Sequence, residues 1–486
     1  MEDNKLYGIS YNYLLDGIRF GFYPPGSSLP PIADLCKVFH ASKTTIHNTL
    51  KMLEKEGYVS LSQGRSAVVT YETTPEASWN YYNFYCNCTK EAVIDLRHMS
   101  EIIYPEIMFQ GLKLCKGRDL DELEEIAGRM TPNSEYPFIE FFGRILEPLG
   151  NPLLHNLFQS TCIFSLCNAI NHNSLDYSTP CVLRLRDSCR KMITACRELN
   201  YDEVKSLLTE LYQLQTENTR QYYRTLPPPE LPGSPVPFKW NHYTDRPMAS
   251  FILAMDLIRD IYSSYDEMEY LPSLTALSSQ HSLPVMTVRR AVKILNDLGI
   301  TESINGKGTR VVIGSGRTNT VPSLDSPNIK RALPLYLQSV QILLLICQNI
   351  ALDSFPSFSS NAMRTAAEHL REALASEDYY RTFGVCFRFL VLNSRSPSLR
   401  EILGELMYLQ YLGVPLNSQE PTDYRYDLAS TRKLVRGLEE RDADGFAEGL
   451  YGLVKDVYLA GREKLMANGF DEVGKLAVLG DGEMEI

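Results

Sequence analysis

The strongest constraint on this chain is that it contains one piece of itself twice. Residues 28–69 lie on residues 270–311 without a gap, an offset of 242. Leu29 and Pro30 meet Leu271 and Pro272, Leu35 meets Leu277, and Leu53 and Gly57 meet Leu295 and Gly299. Gly64 meets Gly306. Apolar positions alone recur between unrelated helices, but a shared Leu-Pro and two shared glycines over about forty residues point to a repeated module.

Each copy reads the same way. Proline suits a first helical turn, so Leu-Pro opens a short helix, predicted at Ile32–Phe39 and Leu274–Gln280. After a tight turn, a second helix carries Ile46, Leu50 and Leu53, or Val288, Val292 and Leu295, on one face. Gly57 and Gly299 fit left-handed caps. Two short strands then flank "SQGRSA" or "NGKGTR", a glycine-bearing hairpin. Helix, turn, helix and hairpin make a winged helix-turn-helix.

Between the copies runs "LPPPELPGSPVP", residues 226–237, with six prolines in twelve residues. Such a stretch forms neither helix nor central strand and predicts an extended, semi-rigid linker. A chain of 486 residues also exceeds one ordinary core, and its 44% apolar content suits several globular domains. The net charge of −11 and pI of about 5.4 exclude a whole-chain basic footprint, so any nucleic-acid contact rests on local patches. Nine of the eleven cysteines precede residue 200 at irregular spacings. With neither a basic n-region nor an apolar h-region in "MEDNKLYGIS", reduced thiols in a cytoplasmic protein are expected. Cys86 and Cys88 form a lone C-x-C, too little for a metal site. The apolar run "LPLYLQSVQILLLICQNIAL" is interrupted by Gln and Asn and reads as a buried helix, not a membrane span.

Both copies resemble the DNA-binding domain of the GntR family of bacterial transcription regulators. That pattern has a Tyr-x-Pro-Gly approach, Leu-Pro-Ser, a Ser-Arg-x-Thr-Val-Arg recognition helix and a Gly-Arg-Gly-Thr wing. The first copy has "FYPPGSSLPP", Ser42, Lys43, Thr45, Ile46, His47 and "GRSA". The second lacks the Pro-Gly approach and has Pro284 and Val285 in place of Ser and Arg, but keeps Thr287, Val288, Arg289 and "GKGT". The segments that follow each copy resemble the all-helical FadR-type effector domain: Phe138 matches Phe383, Phe142 matches Phe387 and Pro152 matches Pro397. The resemblance implies a mostly α fold, in which two winged helix-turn-helix domains are each followed by an all-α helical bundle. The expected boundaries are 1–72, 73–225, the linker 226–244, 245–314, 315–470 and a tail at 471–486.

In a helix-turn-helix the second helix enters the major groove, where Lys and Arg suit guanine, Asn suits adenine, and Ser or Thr reach bases or phosphates. The first copy offers Ser42, Lys43, Thr44, Thr45, His47, Asn48 and Lys51, with Gly64 and Arg65 on its wing. The second offers Thr287, Arg289, Arg290 and Lys293, with Gly306, Lys307, Gly308, Thr309 and Arg310 on its wing. Basic residues on a helix are more often a solvated face. Their coincidence with the outer face of a recognition helix, twice, favours DNA. Residues 1–72 carry seven basic and seven acidic side chains, so affinity there depends strongly on salt.

Many FadR-type domains hold a divalent metal through an Asp and three His. Here Phe138 and Phe142, and again Phe383 and Phe387, fall on the Asp and first His positions; the next His falls near Cys189 and Thr431. No metal or other cofactor is expected, and His98, His155 and His172 do not match the ligand positions. Arg97 and Glu101 match an Arg-x-x-x-Glu of that family domain, which implies an effector site where the arginine forks onto a carboxylate. The same spacing also suits an i, i+4 ion pair on a helix surface.

The expected function is a GntR-type transcription regulator whose two units form an intramolecular pseudo-dimer on double-stranded DNA, reading an asymmetric operator under control of a small-molecule effector. No membrane partner is expected, and further homodimerisation of whole chains stays open. A protein-binding scaffold that no longer reads DNA is the alternative. With no phosphate loop and no nucleophile–base motif, an enzyme is not expected.

Overall fold

Thr74, Asn200 and Asp442 each hold a backbone amide at the start of a long helix, and such caps punctuate a chain that is otherwise nearly all helix. The computed structural model describes residues 9–39, 41–131, 136–166, 175–229, 233–241, 249–263, 268–312, 324–376, 379–413, 416 and 428–479. These fall into two units: Met1–Arg246 with Ser396–Glu401, and Pro247–Arg395 with Ile402–Ile486.

The first unit begins with α1 (Ile9–Arg19), α2 (Ile32–Val38) and α3 (Lys43–Lys55), then the antiparallel pair β1 (Val59–Ser60) and β2 (Val68–Val69). Leu14, Ile18, Leu35, Ile46, Leu50 and Leu53 bury one face each of α1–α3 and form a small core. Six helices follow: α4 (Pro75–Leu114), α5 (Gly117–Gly128), α6 (Tyr136–Leu146), α7 (Pro152–Leu166), α8 (Leu175–Arg197) and α9 (Tyr201–Thr225). Tyr104, Phe141, Phe142, Phe158 and Tyr212 are buried among them as an aromatic core. The N-terminal module is tied to this bundle where Gln159 donates to the Val38 carbonyl at 3.1 Å.

The second unit has α10 (Ala249–Ser263), α11 (Leu274–Gln280), α12 (Val285–Asp297) and the antiparallel pair β3 (Thr301–Ile304) and β4 (Gly308–Val311). Then come α13 (Pro327–Ser354), α14 (Ser360–Ala375), α15 (Tyr379–Asn393), α16 (Pro397–Gln410), α17 (Leu428–Glu440) and α18 (Ala443–Ala467). Helix α13 is long and apolar enough to cross a membrane, but most of its apolar stretch is buried inside this unit, mainly against α18.

Two features lie outside the sequence expectation. Helices α1 and α10 precede each Leu-Pro start. The proline-rich linker is not a free spacer: the Val236 amide donates to the Cys88 carbonyl at 2.8 Å, and Asn87 donates to the Pro227 carbonyl at 3.1 Å. Phe238 and Trp240 are buried, and the indole N–H donates to Asn156 at 2.8 Å. Two large aromatic side chains at its end drive this docking, since their burial outweighs the solvation of an extended strand. Residues 230–232 and 242–244 of that linker, the start of the first module and the end of the tail lie outside the described residues.

Candidate nucleic-acid interface

Helix α3 has two faces. Ile46, Leu50 and Leu53 are fully packed, whereas Lys43, Thr44, His47, Asn48 and Lys51 are exposed and Thr45 is half-buried. Its first turn is fixed by Ser42, whose Oγ accepts the Thr45 amide at 3.1 Å and lies 2.9 Å from the Thr45 hydroxyl. The helix stops at Gly57 (φ 83), where the Gly57 amide donates to Glu54 and the Tyr58 amide to Leu53. That paired closure needs a left-handed residue, and glycine adopts it without a Cβ clash.

Helix α12 repeats this geometry at an offset of 242. Gly299 (φ 72) donates to Asn296, and Ile300 to Leu295. Leu29 donates to Ala67 and Leu271 to Thr309, and the isolated bridges Ser28–Val68 and Tyr270–Arg310 also correspond. Val288, Ala291, Val292, Ile294 and Leu295 are buried, while Met286, Arg289, Arg290 and Lys293 are exposed and Thr287 is half-buried. The first turn differs: Pro284 stands at the cap and accepts no amide through its side chain. Arg289 lies 3.8 Å from the Met286 sulfur, and Lys293 bonds the Asp297 carboxylate at 3.1 Å.

The hairpin tips carry Gly64 (φ 71) with exposed Arg65, and Gly306 (φ 75) and Gly308 (φ 111) with exposed Lys307. Thr309 is half-buried. Arg310 is drawn along its own hairpin, where it meets its cross-strand partner Glu302 at 3.0 Å. Behind the first hairpin, Arg19 donates to the hydroxyls of Tyr58 and Tyr81, tying α1 to the hairpin base and to α4. Burial raises the Asp16 carboxyl to about 7, partly offset by Arg19. Neither group carries a motif signal in the sequence; both are legible only once α1 is seen to pack.

A two-faced helix behind a hairpin, with a polar outer face, defines the winged helix-turn-helix class. The family model "Bacterial regulatory proteins, gntR family" matches residues 7–69, so the N-terminal module is a GntR-family helix-turn-helix domain. An uncharacterized HTH-type transcriptional regulator of Streptomyces coelicolor is 48% identical over 52 residues, 11% of this chain and 19% of that protein. The galactonate operon transcriptional repressor of Escherichia coli (strain K12) is 27% identical over 169 residues, 32% of this chain and 70% of that protein. The family and these relatives are transcription regulators, not enzymes. Among solved structures, a Streptococcus agalactiae GntR protein aligns with a TM-score of 0.21 at 16% identity, covering 43% of this chain and 99% of its own. An E. coli protein, McbR/YncC, aligns with a TM-score of 0.23 at 16% identity, covering 44% and 97%.

The helical bundles do not fit the metal that the FadR-type resemblance implies. Phe138 and Phe142 pack with tilted rings, centroids 4.9 Å apart, and Phe383 and Phe387 likewise at 4.6 Å. Cys189 and Thr431 are fully buried, and burial pushes the Cys189 thiol well above its ordinary range. Cys86 is likewise pushed up to about 12 by burial, so the Cys86–Cys88 pair presents no ready thiolates. Among the described residues no three His, Cys, Asp or Glu side chains converge as a metal site; His172 lies outside them.

The first bundle instead holds a small cavity of ≈ 20 Å³ lined by Arg97, Tyr104, Phe138, Phe142, Phe158 and Gln215, among others. Arg97 donates to the Gln215 side chain at 3.1 Å, its Nε has no partner, and it forms no ion pair with Glu101 or any other described carboxylate. Burial lowers its pKa, against the pull of Cys162 and the surrounding tyrosines.

Proposed function

We propose that this chain is a cytoplasmic, DNA-binding transcription regulator of GntR type in which two reading units are fused as an intramolecular pseudo-dimer. The observation that carries this reading is the hydrogen-bond repeat at an offset of 242: caps, hairpin bases and bridges recur while the outer helix face changes. On this reading the second module is also a winged helix-turn-helix, and the bundles after each are FadR-like effector domains. Lys43, Thr44, His47, Asn48 and Lys51 read one half-site, with Ser42 and Thr45 setting the first turn. Arg289, Arg290 and Lys293 read the other beside Thr287. Arg65 and Lys307 reach the backbone from hairpins whose tips bend at Gly64, Gly306 and Gly308; Thr309 and Arg310 support the second.

Arginine pairs bidentately with guanine and asparagine with adenine. Two unlike outer faces therefore select two unlike half-sites, and the operator is asymmetric. Arg97 supports a role for the first bundle in effector binding. A guanidinium among aromatic rings without a counter-ion is costly, and a small carboxylate ligand would supply one if the bundle opened, since the ≈ 20 Å³ cavity as it stands has room for about one water; Glu101 lies one turn further along α4. Selection of bound duplexes from a random pool tests the whole reading. The expected outcome is a non-palindromic consensus with a G-rich half-site for α12. A perfect palindrome would sink the pseudo-dimer, and no enrichment at all would favour a protein-binding scaffold.

A further inference from the structure

Helices α14 and α17 enclose a groove of ≈ 300 Å³ on the second unit. Its floor is apolar, made by the buried side chains of Met363, Ala367 and Leu438. Its rim carries Arg364, Arg371 and Arg441, with Ser360 and Glu439. Arg371 pairs with Glu439. Arg441 donates to the Ser360 hydroxyl and meets no carboxylate among the described residues. Arg364 is held by Asn361 at 2.7 Å and more loosely by Glu368 at 3.4 Å. Positive charge is concentrated further by the start of the 16-residue α14. Ser359 takes only the Ala362 amide, at 3.2 Å, which leaves first-turn amides facing outward.

The first unit closes the corresponding junction with the charges reversed. In the first unit Leu199 (φ 56) precedes the cap Asn200, as Arg441 (φ 57) precedes the cap Asp442. There α5 carries Asp121 and Glu124, both closed by Arg197 of α8 at 2.7 and 2.6 Å. The same junction thus stands with opposite local chemistry. A left-handed conformation is uncommon for a long side chain, and at 441 it carries an arginine onto the rim.

We propose that this groove binds the phosphate monoester of a polyhydroxylated small molecule, a sugar phosphate by chemical class. Arg364, Arg441 and Ser360, with the first turn of α14, take the dianionic phosphate through charge-assisted hydrogen bonds. Glu439, steadied by Arg371, accepts hydroxyl groups, and the apolar floor lies under the C–H face of the sugar. Arg364 and Arg371 are seven residues apart, about 10 Å along the helix axis, the length of such a molecule. The proposal does not depend on DNA reading by either module.

Calorimetric titration of the full chain with inorganic phosphate, glucose, glucose 6-phosphate, ribose 5-phosphate and glycerol 3-phosphate tests it. At least one ester is expected to bind tenfold or more tightly than inorganic phosphate, and glucose not at all. R364E with R441G removes both phosphate and ester binding, glycine being suited to the backbone at 441. R364E alone, on an exposed side chain, weakens both at least tenfold and guards against misfolding of the double variant. Glu439→Gln keeps phosphate binding and lowers the preference for the ester. Equal phosphate binding by R364E and the unaltered chain would overturn the site. Esters no tighter than phosphate would overturn the ligand class. A short DNA duplex that displaces the ester from the groove would reassign it to nucleic-acid backbone and overturn the proposal.

Discussion

Helices α3 and α12 share a scaffold and differ in what they display. Both bury one apolar stripe, and both end on a left-handed glycine with the same pair of closing bonds. The outer face of α3 mixes Lys43, Thr44, His47 and Asn48, whereas α12 presents Met286, Arg289 and Arg290. Their starts differ too: a serine side chain that caps Thr45 in one, a proline whose side chain holds no amide in the other. Ile46, Leu50 and Leu53 stay apolar as Val288, Val292 and Leu295, while the outer pair His47–Asn48 becomes Arg289–Arg290. That partition follows if the inner face is constrained by packing and the outer face by what it touches.

The largest effect is expected from the outer faces. Arg289→Ala with Arg290→Ala should weaken binding to a selected duplex by roughly two to four orders of magnitude, at about 1–3 kcal/mol for each lost base contact. His47→Ala with Asn48→Ala should weaken it by about tenfold. Electrophoretic mobility or fluorescence anisotropy at fixed salt checks both. Equal losses would break the contrast between the helices.

The next effect, of up to about 4 kcal/mol across the titration, is expected at Asp16. Its folded pKa of about 7 lies above the ordinary 3.8 because of burial. The folded state therefore holds the proton more tightly than the unfolded state between those values, and stability falls as pH rises from about 4 to 7. Asp16→Asn should flatten that slope and raise the melting temperature at pH 8 more than at pH 5. An unchanged slope would show that the carboxyl is solvated.

The smallest effect concerns the caps. Ser42→Ala should cost about 1 kcal/mol, whereas Pro284→Ala should change stability by less than about half that. Chemical denaturation of the two variants measures the difference, and equal losses would mean the cap bond contributes nothing.

The sequence made the short helix after each Leu-Pro legible to within a residue: the expected Ile32–Phe39 is Ile32–Val38, and Leu274–Gln280 is unchanged. Periodicity and glycine caps are local signals, and local signals survive without a structure. Helices α1 and α10 carry no such local signal, because their apolar residues form a core only once they pack on other helices, chiefly α3 and α12. The docking of Phe238 and Trp240 was hidden by the prolines around them, which speak for an extended backbone and say nothing of what it packs upon. The candidate site was legible where it depends on helix phase, as at His47, Asn48, Arg289 and Arg290. It was not legible at Arg310, since the pairing with Glu302 depends on hairpin register, nor at Arg97, whose isolation from Glu101 depends on which way α4 faces.

The docked segment that ends at Trp240 has an optical consequence. The chain has two tryptophans, Trp79 and Trp240, and both belong to the first unit. Trp240 is buried and hydrogen-bonded through its indole. Excitation near the red edge of indole absorption therefore lights the first unit alone, while far-ultraviolet circular dichroism sums the helices of both. Any interval between the two signals during denaturation would time the loss of one half of the molecule against the other, without a label or a cut.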